Sequence, residues 1–184
     1  MNYIPNCITS LRIILVVPLA YALIHQHFET ALIIFIVAGL SDGVDGFLAR
    51  RFNWQSRFGE IADPLADKLL MFVTLVSLLI LEFVPLWLGG LVIIRDLIVI
   101  MGAAFYHILI GPYPFEPTLL GKATTASQIT LIFMVLVQRV YPAMPDWIIY
   151  TLVITVVLLT LASGFDYVTT WWQKFRQARE SQSG

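Results

Sequence analysis

Six stretches of mostly apolar residues, each close to the length that crosses a bilayer, set the limits of what this chain can fold into. They cover residues 8–25, 30–50, 62–81, 85–110, 118–140 and 145–172, and a spanning helix needs about 20 such residues. Inside hydrocarbon the backbone must satisfy its own hydrogen bonds, which within a single segment only a helix does. We therefore expect an all-α integral membrane bundle of six transmembrane helices, one domain over residues 1–184. The joints carry polar or turn signals: His25-Gln26-His27, the charged residues 51–60, Gly111-Pro112-Tyr113-Pro114 and Tyr141-Pro142. With 59% hydrophobic and 12% charged residues, 184 residues hold more apolar material than one soluble core hides, which excludes a soluble globular enzyme. A net charge of -1 supplies no positive field for nucleic acid. The lone Cys7 forms no internal disulfide, and no Cys/His spacing resembles a zinc site.

Orientation follows from the basic residues. Arg50, Arg51 and Arg57 lie between the second and third stretches, and Lys174, Arg176 and Arg179 follow the sixth, whereas the other side has only Arg139. By the positive-inside rule both termini and the joint after the second span are expected in the cytoplasm, at the inner membrane of a bacterium. Trp87, Trp147, Trp171 and Trp172 fall near span ends, at headgroup level. The first stretch has no basic leader and no small-residue cleavage pattern, so we expect it to stay as a helix. The basic tail after Lys174 is expected to fray against an anionic leaflet.

The chemistry is concentrated between Ser41 and Lys68. Asp42 and Asp45 are three residues apart, and Asp63 and Asp67 four apart, so on helices each pair shares a face. If the second span enters lipid near Glu29, a rise of 1.5 Å per residue puts Asp42 about 20 Å across and Arg50 about 30 Å across, just at the cytoplasmic edge. An acid at helix-centre depth costs on the order of 3 kcal/mol. Divalent cations offset that cost, because Mg²⁺ and Mn²⁺ prefer oxygen ligands and two such ions can clamp a diphosphate. The small residues Gly46, Ala49 and Gly59 leave room between helices for a bulky ligand.

These residues reproduce a known pattern: Asp42-x-x-Asp45-Gly46-x-x-Ala49-Arg50, eight residues, Gly59, three residues, Asp63, three residues, Asp67. The pattern resembles the signature of the CDP-alcohol phosphotransferases, and Ile4-Pro5-Asn6-x-x-Thr9-x-x-Arg12 extends the likeness toward the amino terminus. The resemblance implies that Asp42, Asp45 and Asp63 ligate two Mg²⁺ or Mn²⁺ ions and that Asp67 is the general base. It implies that Gly46, Ala49, Arg50 and Gly59 hold the cytidine diphosphate portion of CDP-diacylglycerol. It further implies direct attack of an acceptor hydroxyl on the β-phosphorus with CMP leaving, in a homodimer.

Arg95 lies near the middle of its span, where a guanidinium needs an acidic or phosphate partner, and Lys122 opens the fifth span. Two readings stand for Arg95: a partner within the bundle, such as an aspartate of the cluster, or the acceptor's phosphate. Lys122 either snorkels or joins Arg95 at the acceptor. Family members that use glycerol 3-phosphate resemble one another in carrying a second arginine eight positions after the first and a second lysine two positions after the Lys122 equivalent; here those positions are Ala103 and Thr124. The stretch from Arg95-Asp96 to Phe105-Tyr106, with Pro117-Thr118-x-x-x-Lys122-x-x-Thr125-Ala126-x-Gln128, looks more like the branch whose acceptor is phosphatidylglycerol. One negative charge on that phosphodiester needs fewer cations than a phosphomonoester does.

His25, His27 and His107 are expected outside the site, and Cys7 is a bystander. Arg12, with Asn6 and Thr9, either begins a helix at the interface or approaches the substrate. Asp166, in the last span beside Gly164, needs a partner if it faces the bundle. A divalent-cation transporter is the rival reading. It requires polar residues on both sides of the midplane, whereas these acids lie at one edge, and no repeat of spans is visible.

Overall fold

The computed structural model describes residues 3–52, 57–110 and 118–183, with side chains over 12–41, 66–102 and 118–169. All the regular structure in these residues is helical: α1 (Tyr3–Ile24), α2 (Phe28–Phe52), α3 (Arg57–Ile80), α4 (Leu86–Ile110), α5 (Leu119–Val140) and α6 (Asp146–Ser183). Each apolar stretch has become one helix. The bounds differ where polar chain continues a helix beyond its lipid-compatible part. Thus α1 begins at Tyr3 rather than Ile8, and α6 runs on to Ser183 where a frayed end was expected. Glutamine, lysine, arginine, alanine and glutamate after Trp172 are good helix formers, so nothing local stops α6 at the edge of the apolar run. Likewise α2 extends to Phe52 and α3 starts at Arg57, so the charged residues Arg51, Arg57 and Glu60 of the expected joint belong to helices.

Two helices, α5 and the part of α6 over Asp146–Thr169, are long and apolar enough to cross a membrane, and Arg12–Ile24 and Phe28–Ser41 are shorter apolar helices. Only 17% of the apolar window of α6 is buried, the opposite of a soluble core helix. Ile14, Val17, Leu40, Leu86, Leu158 and Phe165 are exposed, so both units carry large apolar side chains on their outside.

The chain forms two compact units, Met1–Val84 with Ile132–Met144, and Pro85–Leu131 with Pro145–Gly184. In the first, α1 packs against both α2 and α3. Val16, Leu19 and Leu23 make the buried stripe of α1, and Ala31, Phe35 and Ala38 that of α2. The small alanines of α2 let the two backbones approach closely. Two buried hydroxyls of α3 are satisfied within that helix: Thr74 donates to the Leu70 carbonyl at 2.7 Å and Ser77 to the Val73 carbonyl at 2.8 Å. Both α1 and α3 end in the same reversal. Gln26 (φ 58°) and Glu82 (φ 61°) take the left-handed conformation, while His27 and Phe83 donate to the carbonyls of Ala22 and Leu78. Beside the second reversal, the Arg139 guanidinium lies 4.1 Å from the centre of the Phe83 ring, which meets Phe28 edge-on.

In the second unit α4 packs on α6. Leu88, Val92 and Arg95 lie along the buried face of α4, and Val156, Thr160, Ser163 and Tyr167 along that of α6. Thr118 caps α5, accepting the Gly121 amide on its hydroxyl at 3.1 Å.

Candidate functional site

The first unit carries the expected base. Asp67 lies on α3 and receives a charge-assisted hydrogen bond on Oδ1 from Nη1 of Arg12, 55 positions earlier on α1. The arginine side chain is 1% exposed and that of Asp67 42%. Arg12 is therefore neither a helix-start residue nor an interfacial charge: it is buried within α1, and an acid in the adjacent helix compensates it. The pair ties the Asp67 carboxylate on α3 to α1. Asp42 and Asp45 fall within α2, and Asp63 within α3 one turn before Asp67, so the helical spacing that pairs them is present in the backbone. The side chains of Asp42, Asp45, Gly46, Ala49, Arg50, Gly59 and Asp63 lie outside the described residues. Among the described residues no three metal-ligating side chains come together.

The second unit carries the expected acceptor residues. Arg95 is 7% exposed, and its partner is not an aspartate of the cluster but the next residue: Nη1 donates to Asp96 Oδ1 at 2.9 Å. Nη2 donates to Ser163 Oγ on α6 at 2.6 Å, and the Tyr167 ring centre lies 5.4 Å from the guanidinium carbon. Nε is buried and has no hydrogen-bond partner among the described residues. Gly121, where α5 begins, stands against this group, and Lys122 beside it is exposed. Thr124 is wholly buried, its hydroxyl proton directed between the carbonyls of Leu120 (2.8 Å) and Leu159 (3.1 Å). Position 124 thus joins α5 to α6. Ala103 lies outside the described side chains.

Ser163 and Tyr167 were not among the expected site residues. Their signal was available: two polar residues one turn apart, with Asp166 between them, in an otherwise apolar helix. Asp166 itself is half-buried, and its carbonyl accepts the Thr169 hydroxyl at 3.0 Å.

Residues 2–169 match the CDP-alcohol phosphatidyltransferase family. The chain belongs to that family. It is 32% identical to the human cardiolipin synthase (CMP-forming) over 180 residues, 89% of this chain and 60% of that protein. It is also 32% identical to a probable cardiolipin synthase (CMP-forming) of Drosophila melanogaster, over 94% of this chain and 59% of that one. A CDP-diacylglycerol--glycerol-3-phosphate 3-phosphatidyltransferase of Pseudomonas fluorescens is 33% identical over 92% of this chain and 90% of its own length. The chain thus spans about three-fifths of the animal relatives.

Proposed function

We propose that this chain transfers the phosphatidyl group of CDP-diacylglycerol to phosphatidylglycerol, giving cardiolipin and releasing CMP. The observation that carries the transfer is the complete aspartate signature on α2 and α3 in a member of the family, with its last acid held on Arg12. Asp42, Asp45 and Asp63 offer only carboxylate oxygens, a donor set suited to Mg²⁺ or Mn²⁺. Bound there, two such ions would neutralise the diphosphate as charge develops on it. Gly46, Ala49, Arg50 and Gly59 hold the cytidine diphosphate portion. Asp67 takes the proton of the acceptor hydroxyl, the freed oxygen attacks the β-phosphorus, and the bond from that phosphorus to the bridging oxygen breaks so that CMP leaves with the electron pair. Arg95 and Lys122 receive the acceptor's phosphate.

Phosphatidylglycerol is favoured over glycerol 3-phosphate because the two extra basic positions of the latter branch are Ala103 and Thr124 here. Thr124 is fully buried and engaged with the α6 backbone, which leaves no place for a lysine that reaches a ligand. In this reading all six helices span the inner membrane of a bacterium, with both termini and the aspartates toward the cytoplasm, as one domain over 1–184 in a homodimer. The test supplies purified protein with CDP-diacylglycerol and Mg²⁺ and compares phosphatidylglycerol, glycerol 3-phosphate, inositol phosphate and serine. Cardiolipin and CMP from phosphatidylglycerol, at least about tenfold faster than with the others, are expected. Preference for glycerol 3-phosphate moves the chain to the other branch, and no CMP with any alcohol removes the transfer.

A further inference from the structure

The guanidinium of Arg95 is held on three sides. Nη1 is engaged by Asp96, Nη2 by Ser163 Oγ at 2.6 Å, and Tyr167 covers the group at 5.4 Å. Ser163 and Tyr167 are four residues apart on α6, one turn of the same face, and are 0% and 4% exposed. A flexible arginine side chain is thereby reduced to one pose, and that pose leaves a single buried donor, Nε, without a partner among the described residues. A buried donor in that state costs free energy until an acceptor arrives, which is the condition of a site prepared for an oxyanion. Gly121 closes in on the same group. A Cβ at Gly121 would come within 2.9 Å of Tyr167 Oη, 3.3 Å of Thr118 Oγ1 and 3.4 Å of Arg95 Nη2. A side chain at 121 therefore displaces the Tyr167 hydroxyl that packs there, with Arg95 Nη2 at van der Waals distance behind it.

We propose that Ser163 and Tyr167 are positioning residues for the acceptor: they fix Arg95 so that Nε meets the acceptor's phosphate oxygen, and Gly121 provides the clearance this needs. The inference deepens the transfer reading and rests on it. The phosphate is recognised as one oxyanion on one pre-set donor, so the freedom Arg95 has already lost is not lost again on binding. Disturbing the pose weakens the acceptor and leaves the nucleotide lipid alone.

The experiment measures KM for CDP-diacylglycerol and for phosphatidylglycerol separately, with kcat, in Ser163→Ala, Tyr167→Leu, Tyr167→Phe and Gly121→Ala. Ser163→Ala and Tyr167→Leu should raise the acceptor KM about tenfold, with kcat and the CDP-diacylglycerol KM within about twofold of the unaltered protein. Gly121→Ala should move in the same direction. Tyr167→Phe, which keeps a ring over the guanidinium, should lie closer to the unaltered protein than Tyr167→Leu does; this variant carries the test if Ser163→Ala fails to fold. An acceptor KM that stays within about twofold, or that rises in step with the CDP-diacylglycerol KM, overturns the positioning role while the transfer stands. Absence of CMP from the unaltered protein with every acceptor overturns the transfer itself.

Discussion

Replacing Arg12 with Gln tests whether the first unit holds a prepared base. The substitution removes the Nη1 donor to Asp67 Oδ1. A hydrogen bond to a charged group contributes about 1.5–3 kcal/mol. The Asp67 side chain is 42% exposed, so water competes and the lower end applies. About 1.5 kcal/mol spent on orienting the carboxylate corresponds to roughly a tenfold fall in kcat. The assay is CMP release at saturating CDP-diacylglycerol and phosphatidylglycerol, with the thermal unfolding midpoint recorded alongside because Arg12 is 1% exposed. Arg12→Lys should fall between, since an ammonium keeps the charge but not the planar fork. The pair should also be coupled: in an Asp67→Asn background the Arg12 change should remove little of the residual rate. A kcat within about twofold of the unaltered protein, or an equal loss in both backgrounds, would refute the orienting role.

Other substitutions separate roles and probe the fold. Asp67→Asn should nearly abolish CMP release while CDP-diacylglycerol binding persists, because a base acts after binding; Asp42→Asn and Asp63→Asn should weaken metal-dependent binding as well, and equal loss of binding in all three would end that division. Thr124→Lys places a cation at a position that is 0% exposed and should lower stability by about 2–4 kcal/mol without conferring use of glycerol 3-phosphate, read by thermal unfolding and by product. Gln26→Gly relieves a left-handed residue at the end of α1 and should stabilise by about 0.5–1 kcal/mol, seen as a higher unfolding midpoint; a lower one would count against the reversal described there.

Helix number was legible in the apolar runs, because each run is long enough for several turns of helix and is bounded by polar or turn residues. Helix ends were less so. Hydropathy marks where lipid begins, not where hydrogen bonding stops, and so Tyr3 and Ser183 rather than Ile8 and Trp172 bound the outer helices. The pairing of Asp63 with Asp67 along α3 was readable as one helical turn. The partner of Arg12 was not: it lies 55 positions away on another helix, and periodicity reports faces, not neighbours. The particular partner of Arg95 was hidden for another reason. Adjacent residues on a helix do not ordinarily face each other, so Asp96 was passed over although a long guanidinium reaches it at 2.9 Å. Ser163 and Tyr167 meet Arg95 only through the packing of α4 on α6, which periodicity does not report.

The central claim is that metal held by the aspartates of α2 and α3 drives phosphatidyl transfer, and the most direct test is CMP release from chelator-treated protein already loaded with CDP-diacylglycerol and phosphatidylglycerol. The account predicts no CMP until Mg²⁺ or Mn²⁺ is added, then CMP equal to the cardiolipin formed. Release that proceeds at the same rate in the presence of chelator would contradict it.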